Sequence, residues 1–229
     1  MKETQARDEI CRVGASLFAR GYVHATAGNI SVRLSPDDGG GFLITPTDAC
    51  LGSLDPASLA RLDDQGVQIS GARGSKTIVL HRKIYEATAK ASYAAQCVIH
   101  THSTHLVALT LAGADDAVAK GELLPPLTPY YVMKVGRVPL APYQRPGAPM
   151  VGDHVAQLIT EYSKRGIPLR AVMLDRLGPN VWHASPAEAM ATLEELEETA
   201  KLWLMSGRTA APLTEDAIAE LRQTFGVAW

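Results

Sequence analysis

The chain has 229 residues, with 22 Lys and Arg against 24 Asp and Glu, for a formal charge of −2. Its 46% hydrophobic and 20% charged residues are those of a globular protein, which excludes disordered, collagen-like and coiled-coil classes. The near-neutral balance argues against nucleic acid, whose phosphates call for a concentrated basic face. No apolar run approaches the roughly 20 residues that cross a bilayer, so no membrane partner is expected. The first eight residues lack the apolar core of a secretory signal. Three widely spaced cysteines, Cys11, Cys50 and Cys97, read as free thiols. These features predict a cytoplasmic protein with one domain over 1–229.

Taken in chain order, Ala6, Ile10, Val13, Leu17 and Phe18 fall on one face at helical spacing, with Gly21 placed to end the helix. Strand-like runs at 29–34 and 41–44 flank the turn-forming 35–40 and predict a hairpin. Asp55-Pro56 opens a short helix, and 76–90 reads as a long one. Cys97-Val98-Ile99 runs into His100-Thr101-His102 as a buried strand, after which Ser103 caps a helix through Leu111. A helix is predicted over 149–165, then an apolar strand over 170–174. Ser185-Pro186-Ala187-Glu188 is a capping box that opens a helix to about Met205. Interspersed strands and helices predict a layered α/β domain whose sheet is at least partly antiparallel.

Three segments carry possible chemistry. His100 and His102 share one face of a strand, so both imidazoles can converge on one ion; two unrelated polar residues at a strand end are the alternative. His105, on the next helix, reads as structural. Thr26-Ala27-Gly28-Asn29, Thr45-Pro46-Thr47 and Gly74-Ser75-Lys76 combine small residues, hydroxyls and one cation. They make an anion site only if they meet in space, and are turns otherwise. The 127–146 region holds Tyr130, Tyr131 and Tyr143, any of which is either a proton donor or a packed aromatic. His24, His81, His154 and His183 read as structural or solvated, and the acidic run 194–198 as a solvated helix face.

The order Ala27-Gly28-Asn29-Ile30-Ser31, Leu43-Ile44-Thr45-Pro46-Thr47 and Ile99-His100-Thr101-His102-Ser103 resembles the class II aldolase/adducin family. Cys50-Leu51-Gly52-Ser53-Leu54-Asp55-Pro56, Leu127-Thr128-Pro129-Tyr130 and Val138-Pro139-Leu140-Ala141-Pro142-Tyr143 look like the branch that decarboxylates phosphorylated oxo-tetronates. The resemblance implies a three-layer α/β/α sandwich with a largely antiparallel central sheet. It also implies a homotetramer with sites between subunits and a small anionic substrate. The implied cofactor is a divalent metal, Zn2+ first, with Fe2+ or Mn2+ as alternatives. His100 and His102 match two metal ligands. Gly28, Asn29, Thr47, Asp48, Ser75 and Lys76 fall in the substrate-binding stretches, and Tyr130 falls at the position of a tyrosine acid.

The chain also departs from the pattern. Thr77 stands where the family has its carboxylate acid/base, and Leu177 where it has a third histidine ligand. Asp48 replaces a glycine beside Thr47. A lyase, either decarboxylase or aldolase, with an altered site is the first expectation. A two-histidine–one-carboxylate iron site, recruiting Asp175, and a non-catalytic binding protein are the alternatives.

Overall fold

The computed structural model describes residues 1–91, 93–111 and 121–229. Chain order runs α1 (Glu3–Ala19), β1 (Asn29–Arg33), β2 (Phe42–Ile44), β3 (Ala60–Leu62), β4 (Gln68–Ser70), α2 (Ile78–Lys90), β5 (Cys97–His100) and α3 (Thr104–Leu111). It continues with β6 (Leu140–Ala141), α4 (Pro149–Lys164), β7 (Ala171–Leu174), β8 (Gly178–His183), α5 (Pro186–Met205) and α6 (Glu215–Phe225). The strands form one sheet in the order β4-β3-β2-β1-β5-β8-β7-β6. Every pairing is antiparallel except the β6–β7 edge, as the largely antiparallel sandwich requires.

Alternation along the central strands divides the core in two. Ile30, Val32, Cys97, Ile99, Ala171, Met173 and Val181 face a layer containing α1, α3 and α5. Val98, Val172, Leu174 and Trp182 face the opposite layer, where α2 packs on α4. The α1 stripe of Ala6, Ile10, Val13 and Leu17 is fully buried. Phe18, expected on that stripe, is 42% exposed instead. One residue beyond Leu17 it has rotated off the buried face, and its ring covers Gly52, where a Cβ would come within 2.6 Å of it.

Three further expectations are corrected. The helix expected from Lys76 starts at Ile78, because Ser75 to Thr77 form a turn in which Ser75 Oγ and Thr77 Oγ1 bond at 2.5 Å. Ser103 does not cap α3, since its hydroxyl is engaged with Thr101 Oγ1 at 2.6 Å. The Glu197 carboxylate does so from α5, accepting the backbone N–H of His105 (3.0 Å) and of Leu106 (3.1 Å) and the His105 Nδ1–H (2.8 Å). Glu197 is therefore buried, not part of a solvated face, because an orphan helix N-terminus in the core needs an acceptor. The strands β3, β4, β6 and β8 and the helix α6 had no counterpart in the sequence reading. Thr214 caps α6 by accepting from Ala217 N, and Gly226 closes it in the left-handed conformation.

Candidate functional site

The three small-residue segments meet. Thr45 Oγ1 accepts from Ile30 N at 3.2 Å, and Thr45 N donates to Ile30 O, tying the second segment to the first. Ser75 N donates to Thr45 O (3.1 Å), Thr47 N to Arg73 O (2.8 Å) and Thr47 Oγ1 to Gly74 O (3.3 Å), tying the third to the second. Gln68, on β4, fixes this loop: its amide donates to Gly71 O and Ala72 O and accepts from Gly74 N. Asn29, Thr47, Asp48, Ser75, Lys76 and Thr77 consequently line one cleft of about 1040 Å³. Asp48 holds a left-handed backbone at φ 57°, and the first N–H groups of α2 are taken up locally, Ile78 N donating to Ser75 O (3.2 Å) and Val79 N to Lys76 O (3.3 Å).

His100 and His102 line the same cleft. β5 ends at His100, so His102 lies past the strand rather than on it, yet the two rings stand 5.1 Å apart at 70°. His100 Nδ1 lies 2.9 Å from the Pro179 carbonyl, which can only accept, so Nδ1 carries the proton and Nε2 keeps its lone pair. Burial, and then the neighbouring His102, push the His100 pKa down to about 4. His102 is also lowered, by burial and then by His24. Both rings are neutral near pH 7, the form in which imidazole binds metal.

Two polar residues that line the cleft, Asn29 and His100, continue into a buried polar row. Asn29, His100 and Asn180 stand side by side across β1, β5 and β8 and so share one sheet face. Asn29 Oδ1 and both Asn180 amide atoms are buried with no hydrogen-bond partner among the described residues. So is Nε2 of His81, whose Nδ1 bonds Ser31 Oγ at 2.7 Å. Burying unpaired polar atoms costs about 1–3 kcal/mol each, and of these three residues Asn29 is the one that lines the cleft, where a polar ligand atom would offset that cost.

Leu177 lines the cleft in a turn whose geometry is tightly set. Gly178, at φ 137°, lies so near Thr101 O that a Cβ would sit 1.9 Å from it, so β8 cannot begin with any other residue. Asp175 also lines the cleft, but no group of three His, Cys, Asp or Glu able to hold a metal occurs among the described residues. The two-histidine–one-carboxylate arrangement is therefore not formed. His100 and His102 do fit a divalent ion as a chelating pair, because rings on a tetrahedral ion have centres about 5 Å apart.

Two expected residues lie elsewhere. Tyr130 is 62% exposed and does not line the cleft of its own chain. Gly28 has a backbone role: at φ 85° it passes so close to β5 that a Cβ would lie 2.9 Å from His100 O. Arg73 and Arg145 line the cleft without having been singled out in the sequence, and His154, expected to be structural or solvated, lines it as well. Only for Arg73 was there a signal, its position one residue before Gly74-Ser75-Lys76.

Relatives match this chain end to end. The 3-oxo-tetronate 4-phosphate decarboxylase of Cupriavidus necator is 52% identical, covering 99% of both chains. The protein of that name from Escherichia coli K12 is 39% identical over 96% of both. The solved structure of YgbL from Klebsiella pneumoniae is 42% identical and superposes with a TM-score of 0.81, covering 97% of this chain and 100% of that one. L-fuculose-1-phosphate aldolase from Thermus thermophilus is 27% identical with a TM-score of 0.71, over 91% of this chain and 98% of that one. The Class II Aldolase and Adducin N-terminal domain profile spans residues 8–204, and the chain belongs to that family.

Proposed function

We propose that the protein is a lyase that decarboxylates a phosphorylated 3-oxo sugar acid, the substrate class in the names of its curated relatives. The observation that carries this reading is the division of one cleft between a hydroxyl and cation cradle and a pair of neutral imidazoles. Ser75, Lys76 and Thr47 hold the phosphate, at the positive end of the α2 dipole. Asn29, which lines the cleft, presents an unpaired amide oxygen toward the sugar hydroxyls. His100 and His102 hold a divalent ion, Zn2+ first and Fe2+ or Mn2+ as alternatives. When bound, that ion supplies an electrophile for an oxygen that gains charge as the carbon–carbon bond breaks. A β-keto acid loses CO₂ without proton abstraction from carbon, and the enolate left behind takes up one proton. This chemistry asks less of position 77 than aldol cleavage does, which accommodates Thr77 in place of an acid.

Exposed Tyr130 reaches a neighbour's cleft in a homotetramer, and light scattering checks that assembly. CO₂ release from 3-oxo-tetronate 4-phosphate is the direct assay. Release that requires divalent metal and is lost in His100→Ala is the expected result. Thr77 and Leu177 together favour a second reading, a phosphosugar-acid binding protein. Tight binding of this compound with no CO₂ release under any divalent metal would establish that reading instead.

A further inference from the structure

His24 is not part of the site the sequence pointed to, yet the fold delivers it there. It lies in a turn closed by Ala27 N donating to His24 O at 2.9 Å, with Ala25 held at φ 47°. Gly28 then pins this turn against the end of β5 through its close approach to His100 O. The result is a third imidazole: the His24 ring centre is 6.4 Å from that of His102, edge to face at 73°. His100 and His102 already stand at the spacing of two ligands on a tetrahedral ion. Two imidazoles alone make a weak site, since zinc centres with an open position use three protein ligands. Leu177, across the cleft, has no donor atom to complete the set.

We propose that His24 is the third protein ligand of a divalent metal bound at His100 and His102. In the structure its ring centre is 6.4 Å from that of His102, against 5.1 Å between His100 and His102, so the three do not form a closed group. The His24 side chain is exposed, and its turn is anchored by backbone bonds rather than by the imidazole. The movement this assignment calls for is a rotamer change of that exposed side chain. Metal binding thus swings His24 inward over His102, leaving the fourth position for substrate or water. The inference rests on the metal-binding reading of His100 and His102 above.

The test is zinc affinity of tag-free protein, measured by competition with a chromophoric chelator, alongside X-ray absorption of the zinc-loaded protein. Expected are three imidazoles around zinc in the wild type and two in His24→Ala. Affinity should fall at least tenfold in His24→Ala, a direct ligand counting for no less than the about 10–100-fold of an outer partner. Asp175→Asn should keep wild-type affinity. If His100→Ala abolishes binding while His24→Ala binds as wild type does, His24 is not a ligand and the His100–His102 reading survives. If Asp175→Asn is the variant that loses affinity, the third ligand is that carboxylate and the assignment to His24 is overturned. If the wild type binds no zinc, both fall. Because His24 is exposed, its replacement spares the core; unchanged thermal unfolding of the metal-free variant confirms this.

Discussion

Thr77 Oγ1 lies 2.5 Å from Ser75 Oγ, so a hydroxyl pair occupies the mouth of α2 where the family resemblance calls for an acid. Each hydroxyl occupies the other, and neither is a base at neutral pH. A Thr77→Glu variant places a carboxylate at the N-terminus of α2, where the helix dipole favours negative charge. CO₂ release from 3-oxo-tetronate 4-phosphate should rise, by up to about 10²-fold, the lower end of general acid–base contributions. An unchanged rate in a folded variant would mean that proton transfer at this position does not limit turnover.

Lys76 lines the cleft at the entry to α2 but is exposed. Lys76→Met should weaken binding of inorganic phosphate and of phosphosugar acids by about 1–2 kcal/mol, toward the low end for charge-assisted bonds because water screens the ammonium. Calorimetric titration of both ligands reads the effect. Equal affinities in the two proteins would make Lys76 a surface residue only.

Asp48 combines a left-handed backbone with a carboxylate on the cleft wall. Glycine takes that backbone without the Cβ clash and removes the charge. Asp48→Gly should therefore raise stability by about 0.5–1 kcal/mol and tighten phosphate binding. Thermal unfolding and phosphate titration report the two effects separately. Weaker phosphate binding in the variant would instead assign Asp48 a contact that helps the ligand.

Glu197 satisfies two backbone N–H groups and one imidazole from a buried position. Glu197→Ala should cost about 3 kcal/mol, since it strips the cap from α3 and leaves buried donors unpaired. Glu197→Gln keeps the acceptor oxygen and should lose less. Urea midpoints rank the three proteins, and a Glu197→Ala midpoint equal to that of the wild type would contradict the capping role.

Stability should fall as pH drops from 7 to 5. Burial lowers the pKa of His81 to about 3, with a further contribution from His100, which itself sits at about 4, against 6.5 for a free imidazole. Below pH 6.5 the unfolded chain binds protons at these rings while the folded chain does not, so stability increases with pH across this window. The loss on acidification begins near 6.5 and runs on until each folded pKa is reached. Urea denaturation at pH 7 and 5 measures the slope, and His81→Gln should flatten it. A wild-type profile independent of pH over this range would show that the buried rings are not the acid-sensitive element.

Local physics was legible in the residues. Short apolar runs bounded by turn residues are a property of neighbouring residues, and they marked β1, β2, β5 and β7, though not β8 between β5 and β7. The Ser185 to Glu188 capping box depends on atoms within one helical turn, and Ser185 Oγ does accept from Glu188 N at 3.2 Å. The pairing of His100 with His102 survived even though the strand stops at His100, the two rings standing 5.1 Å apart on the same cleft. Tertiary structure decided whatever depends on which distant segments pack together. Glu197 looks like one of several surface acids until α5 packs against α3 and brings it to an uncapped helix end 92 residues away. Whether the three small-residue segments were turns or a cradle turned on backbone bonds among residues 30, 45, 47, 73 and 75. Asn180 came to lie beside His100 because β8 pairs with β5 in that register. His24 came to His102 because Gly28, lacking a side chain, lets its turn close on the end of β5, a contact set by packing and not by any pattern along the chain.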